Sequence, residues 1–511
     1  MSMKKIQAFT LLIISLPLSI TCCGQNESPT NNDPVEKTYT VTWINDNGDV
    51  LEIDENMKKG ELPTYDSGIP TKEDDETYTY TFNGWTPEIK EVEDEDQIYT
   101  ATYTSKEIPP ESGIEEYELP VFSIWTKDNT PITSKEVYVN ATMHITNAQE
   151  YNEKGLTLGI RGRGNYSWSG TEKKSYRIKF DNKYQPLGQG NGPCKSWTLL
   201  AVHCDKSLLR NDAAFYFGRH LSNLGFISSS SFVELMLNGE YQGVYELCDQ
   251  MQVNKYRVAV DDSGEDEDIG YLVELDKNAS EDVVTLTSGL TFEIKSDYMN
   301  ESQVEFITDY LNQCETAIKG GDQTTIESLI DIDSAVDAYL VEELFKNLDV
   351  GWGSFYYTKP KGGKLSFGPV WDFDLSAGNA DSDYNESSFR SYKYTYVGNK
   401  KYSKYMQQHT WYLSLRKQEW FNNLIKERWF EIVDIASDTV THINEMKESY
   451  INSFNRNFER WNIFNQKINR EPTSVMNIKT FVGQVDYLTN WLSNRIDWLT
   501  KFYNGEVNDI K

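Results

Sequence analysis

"KNLDVGWGSFYYTKPKGGKLSFGPVWDFDLSAGN", residues 346–379, sets three aspartates among aromatic and glycine neighbours. A helical pattern ends near Leu348, Asp349 sits in a glycine-bearing loop, "SFYYTK" reads as a strand and "PKGGK" as a turn. "LSFGPVWDFD" reads as a second strand that delivers Asp372 and Asp374. In a strand these two carboxylates face one side and Phe373 the other. The hairpin would then bring all three acids to one end. A buried carboxylate is costly unless something positive binds it. The pair is a plausible chelator of a hard, oxygen-loving cation. The competing interpretation is a pair of acids satisfied by backbone N–H groups and arginines, and a single D-x-D does not separate the two.

The composition bounds the problem. A chain of 511 residues with 38% hydrophobic and 13% aromatic residues fills more than one core. Its formal net charge of −30 argues against a nucleic-acid binder, which needs a basic surface, though not against a nucleotide pocket. Lys4 and Lys5, an apolar run from about Ala8 to Ile20 and then Cys22-Cys23 have the layout of a bacterial secretion signal. A cysteine at that place resembles a lipoprotein signal, with Cys22 or Cys23 as the lipidated residue. This implies an extracytoplasmic protein lipid-anchored to a bacterial membrane. Cys194, Cys204, Cys248 and Cys314 are no disulfide scaffold, although Cys194 and Cys204 could pair; buried thiols are the expectation. The five histidines lack zinc-ligand spacing.

The expected order is a signal over 1–23, a polar tether over 24–36, a β-rich module over 37–105, a linker over 106–118 and an α+β domain over 119–505. Period-two alternation in "KTYTVTW", "ETYTYTFNGWTP" and "QIYTATYTS" marks the module's strands, with a hairpin turn at "DNGD". "YTVTW", "FNGWTP" and "YTATY" resemble internalin-type B repeats of bacterial surface proteins, which implies a spacer or an adhesive unit. In the large domain "LNGEYQGVYEL" is a hairpin turning at Asn238-Gly239. "KSLLRNDAAFYFGRHLSNLG" is a helix ending at Gly225, and "IDSAVDAYLVEELFKNL" a helix capped by Asp333. Beyond residue 405 the tryptophans recur at helical spacing and are expected in the core.

Several motifs, in order, carry a further resemblance: "IRGRGNYSW", "KKSYRIKF", "KSWTLLAVHCDKSLLRN", "FVELMLNGEYQGVYELCDQ", "GYLVELD" and the opening stretch. Residues 119–505 resemble the CotH (spore-coat protein H) kinase family. The resemblance implies an atypical, two-lobed protein-kinase-like fold with a helical C-terminal part. It also implies transfer of the ATP γ-phosphate to Ser or Thr of a protein with Mg²⁺ or Mn²⁺. Asp349 matches the catalytic aspartate and Asp372 the metal aspartate, Asp374 is a supporting metal ligand or a loop-fixing acceptor, and Asn379 is a further candidate ligand. Kinase-like loops offer an Asn five residues after the catalytic Asp, and here Ser354 stands there. That departure keeps a non-catalytic adhesion or binding protein open, and metal-dependent hydrolysis is a third reading.

For the phosphates, Arg161 and Arg163 in "RGRGN" offer a fork at a strand end, or the stretch is a plain turn. Arg177 and Lys179 share a strand face, and Lys174 and Arg210 are further cations in the family-like motifs. Glu246 and Asp249 either balance such a cation or form structural pairs, the latter being favoured. Asp205, after His203, is expected to cap a helix. A protein substrate of basic character suits so acidic a chain.

Overall fold

The structure is a computed structural model. It describes residues 37–73, 75, 78–107, 117–277, 279–298, 300–348, 350, 353–380, 411–468 and 470–507. Asp349, Cys22 and Cys23 lie outside the described residues. The chain divides into two compact units between residues 114 and 115.

The first unit is a four-stranded sheet, β1 (Thr38–Ile44), β2 (Val50–Lys58), β3 (Tyr78–Thr86) and β4 (Gln97–Glu107), in the order β2-β1-β4-β3. Strands β1 and β2 are joined through "DNGD", where Gly48 takes φ +89°. β1 and β4 run parallel. Alternation buries Tyr39, Val41 and Trp43 on one face, and Trp43 packs against Tyr65, Trp85 and Tyr99.

The second unit begins with a closed barrel of β5 (Val121–Thr126), β6 (Val139–Thr146), β7 (Glu153–Arg163), β8 (Ser175–Tyr184), β9 (Cys194–Leu200), β10 (Ser230–Leu237) and β11 (Glu240–Asp249). Its order is β10-β11-β9-β8-β7-β6-β5, closed by the parallel pair β5–β10. Closure removes both sheet edges. The interior holds Phe122, Met143, Ile160, Ile178, Trp197, Val233 and Leu247 among others. The β10–β11 turn is Asn238-Gly239, both at positive φ, as expected.

A second sheet follows, β12 (Tyr271–Leu275), β13 (Val283–Thr285), β14 (Thr291–Ile294), β15 (Phe355–Lys359) and β16 (Ser366–Phe367), in the order β13-β14-β12-β15-β16. The helices are α1 (Tyr166–Ser169), α2 (Arg210–Arg219), α3 (Glu301–Gly320), α4 (Gln323–Leu329), α5 (Ile332–Phe345), α6 (Tyr412–Leu415), α7 (Glu419–Ser449), α8 (Ile451–Arg460), α9 (Thr473–Met476) and α10 (Phe481–Tyr503). One continuous core joins α2, α5, α7 and α10 to this sheet and to the outer faces of β10 and β11, through Phe232, Val244 and Cys248. Trp429, Trp491 and Trp498 lie in it, as their spacing predicts. The fold is thus mixed α+β.

Two helix boundaries depart from the sequence reading. α2 stops at Arg219 rather than at Gly225. α5 is capped by Asp331, whose side chain accepts from Ser334 N, so Asp333 lies inside the first turn. Both acids precede good helix formers, and the register that meets an N3 amide wins. All four described cysteines are free and buried.

His203 is 8% exposed and its Nδ1 has no hydrogen-bond partner. Burial, then the charges of Lys173, Lys174 and Lys206, push its pKa down to about 4. The fold therefore refuses a proton that the unfolded chain takes up as pH falls from about 6.5. That gap corresponds to up to ~3 kcal/mol of stability, lost progressively down to about pH 4. His203→Phe keeps a ring against Trp461 and removes the titration. Its urea midpoint should exceed that of the parent near pH 4.5 and converge with it near pH 7; equal midpoints at the lower pH would refute this.

Candidate active site

The 368–380 segment is not the strand that its alternation predicts. β16 is only Ser366–Phe367. Pro369 has no N–H to extend a ladder. Asp372 takes φ +68°, a left-handed conformation, so the same-side argument for Asp372 and Asp374 fails. The two acids meet by another route. Both carboxylates act on the Cys204 thiol, Asp374 also through a hydrogen bond, and together with burial they hold that thiol far above its ordinary range. Asn379 Nδ2 donates to Cys204 O (2.8 Å) and to Asp374 O (2.7 Å). Its own Oδ1 is buried without a partner. Gly378, at φ +78°, leaves room for the Trp491 indole, which a Cβ would meet at 2.6 Å.

The N-terminus of α2 holds this loop in shape. Arg210 Nε donates to Ser376 O (3.1 Å), Arg210 Nη2 to Ala377 O, and Asn211 Oδ1 accepts from Phe373 N (2.7 Å). Asp205 accepts from the Arg210 amide and guanidinium and from Ser207, so it serves the helix start as expected and pins Arg210 as well. From the C-terminal end of α5, Phe345 O accepts from Ala377 N (2.6 Å), and Leu348 N donates to Leu375 O (3.1 Å). The residue before Asp349 is thereby tied to the residue after Asp374.

Asp372 Oδ2 accepts from Ser354 Oγ (3.3 Å), and its carbonyl accepts from Asn347 Nδ2 (3.1 Å). Ser354 therefore spends its hydroxyl on the carboxylate. Burial raises the Asp372 pKa, while Arg163 and Ser354 oppose the rise. Arg163 lies over the Trp371 ring at 5.3 Å, yet the two charges form no ion pair. Tyr356, Glu274 and Lys295 complete the surroundings. Arg163, Glu274 and Asp372 all act on the Tyr356 phenol, and Lys295 pairs with Glu274 at 2.9 Å.

The cations named from sequence sort by strand face. Arg161 and Arg163 on β7, and Arg177 on β8, project outside the barrel and are half-buried, Arg161 paired with Arg177 across the two strands. Lys179 shares that face but is exposed. Gly162 points inward, where a Cβ would meet Trp168 at 2.6 Å, so "RGRG" owes this glycine to packing rather than to a phosphate grip. Lys174 donates to the Trp168 and Thr171 carbonyls, and Arg210 belongs to the loop clamp. Asp249 forms a buried ion pair with Arg257 (3.0 Å), and Glu246 is fully buried. Sequence reasoning missed Asn211, Arg257, Tyr138 and Glu274. Only Glu274, an acid inside the apolar "GYLVEL" strand, carried a signal.

The Asp372 and Asp374 carboxylates and the partnerless Asn379 Oδ1 are oxygen ligands of the kind a hard cation takes. Among the described residues no three His, Cys, Asp or Glu side chains converge on one point. Mg²⁺ needs no such cage, since it keeps waters and substrate phosphates as ligands.

Asn211→Ala should leave the buried Phe373 N–H unsatisfied and cost ~1–3 kcal/mol in urea unfolding. It should also weaken divalent-ion-dependent nucleotide binding in calorimetry, whereas a purely structural role would leave that affinity unchanged. No curated protein matches the chain at a significant level. The family model described as CotH kinase protein matches residues 160–499, which take in the end of β7 with Arg161 and Arg163, the α2 clamp and the whole 346–379 stretch. The chain belongs to the CotH kinase protein family.

Proposed function

We propose that this protein is a surface-anchored kinase that transfers the γ-phosphate of ATP to a Ser or Thr hydroxyl of a protein. One observation carries the reading: Arg163 lies over the Trp371 ring, and its charge acts on the buried Asp372 carboxylate without an ion pair between them among the described residues. Phosphoryl transfer needs such an arrangement, a cation for phosphate oxygens opposite a carboxylate for the metal.

In this reading the barrel and the helical part are the two lobes of a kinase-like domain. Arg163, Arg161 and Arg177 hold phosphate oxygens. Asp372, with Asp374 and Asn379, would hold Mg²⁺ or Mn²⁺, which neutralises charge on the transferring phosphoryl group. Asp349 orients the hydroxyl and receives its proton. The hydroxyl oxygen bonds to the γ-phosphorus as the bond to the β-phosphate oxygen breaks, releasing ADP. A lipid on Cys22 or Cys23 would anchor the chain, with the first unit, read as a repeat-like module, as spacer. The net charge of −30 favours a basic acceptor segment. Ser354, in the place of a metal-binding Asn, favours a second reading, a non-catalytic surface binding protein.

Incubation of the full chain with labelled ATP and Mg²⁺ or Mn²⁺ separates the two. Self-labelling should appear and fall by at least ~100-fold in Asp349→Ala and Asp372→Ala. No label together with no metal-dependent ATP binding would overturn the enzyme reading and leave the binding protein.

A further inference from the structure

The chain has 79 Asp and Glu against 49 Lys and Arg. Even so, among the described residues no carboxylate lies within ion-pair distance of Arg161, Arg163 or Arg177. Arg161 Nε and Arg177 Nε are buried with no hydrogen-bond partner. Arg257, in the loop after β11, adds its charge to that felt by Arg177. Its Nε pairs with Asp249 and its Nη2 donates to Ser196 O (2.6 Å), but its Nη1 is buried and unpartnered. Arg177 Nη2 reaches the hydroxyl of the same Ser196 at 3.4 Å. Three guanidiniums, those of Arg161, Arg163 and Arg177, thus share one outer face of the barrel, and Arg257 lies on the Trp197 side of β9. Burial and the charges of Arg161, Arg257 and Arg163 push the Arg177 pKa down, with Tyr138 opposing.

Strand geometry sets the spacing. Neighbouring strands lie about 4.8 Å apart and alternate residues on a strand about 6.7 Å apart, so the row is long enough for several linked phosphates. The aromatic rings along it are already taken. Tyr138 carries Arg161 and lies against Gly159. Trp371 carries Arg163 and stacks on Phe215, and Trp197, under Arg257, is fully buried. None of these rings is left to stack a nucleobase, whereas the unpartnered N–H groups suit oxyanions.

We propose that the row Arg163, Arg161 and Arg177 binds a linear oligophosphate through its phosphate oxygens alone, so that inorganic tripolyphosphate takes the same site as the phosphate chain of a nucleotide. The inference rests on the kinase reading only for the identity of the natural donor. It assigns the binding energy to the phosphates and none to the base.

Calorimetry on the full chain tests it with sodium tripolyphosphate, ATP and adenosine. Tripolyphosphate should bind within about tenfold of ATP and displace it, while millimolar adenosine displaces nothing. Arg161→Gln and Arg177→Gln should each weaken tripolyphosphate at least ~10-fold, and exposed Lys179→Gln should change it little. Removing one of several repelling charges should leave the melting temperatures of these variants intact, so that lost binding is not lost folding. ATP binding without tripolyphosphate binding, or unchanged binding in both arginine variants, overturns the proposal. Tripolyphosphate binding without phosphoryl transfer from ATP would leave it standing and favour the non-catalytic binding protein over the kinase. Transfer from ATP without tripolyphosphate binding would do the reverse.

Discussion

The loop that presents Asp372 and Asp374 depends on one buried cation. Arg210 and Asp205 are fully buried, and a buried ion pair is tolerable only when its remaining hydrogen-bonding capacity is used. Here Asp205 also accepts from Ser207 and the Arg210 amide, and the free N–H groups of Arg210 go to the carbonyls of Ser376 and Ala377. The pair therefore does what a strand ladder would otherwise do. It fixes a segment with no regular structure, including a left-handed aspartate, to the start of a helix. Removing either partner would strand the other charge, at ~3–5 kcal/mol. The α5 end, through Phe345 and Leu348, holds the same loop from the other side.

Alternation records β7 and β8 directly, because each has one wetter and one dry face, whereas β10 and β11 are buried on both. The same logic failed at "VWDFD". Its alternation is real, but Pro369 stops the ladder that would give alternation a meaning, and the acids meet around Cys204 instead. Arg161 and Arg177 were legible as strand cations, yet their adjacency is a matter of pairing register, which no single strand encodes. Asn211 and Arg257 were illegible for a related reason. Asn211 acts on Phe373 across 162 positions, and Arg257 sits in a loop whose composition says nothing of Ser196.

Glu246 and the arginine row are opposite solutions to one problem. Glu246 is fully buried, and burial holds its carboxyl well above the usual range, which favours the neutral, protonated form. Arginine has no such exit, because its guanidinium stays charged at any pH the fold survives. A row of arginines in a protein rich in acids can be relieved by recruiting carboxylates, and this fold does so for Arg257, Arg210, Arg428 and Arg495. It does not for Arg161, Arg163 and Arg177. Repulsion left standing there among the described residues is what an outside partner, on the proposed reading, would relieve.

That partner must approach through an unfavourable field. At −30 the surface repels anions at long range, but screening confines this to about 8–10 Å at physiological salt. Inside the half-buried row the dielectric is lower and each guanidinium contact counts for more. The balance between the two regimes depends on ligand valence. A monovalent anion pays the outer repulsion and gains one contact, whereas a chain of phosphates gains several at once. On the proposed reading, the acidity of the molecule and the basicity of the row would act together, as a filter that passes multivalent anions to the row.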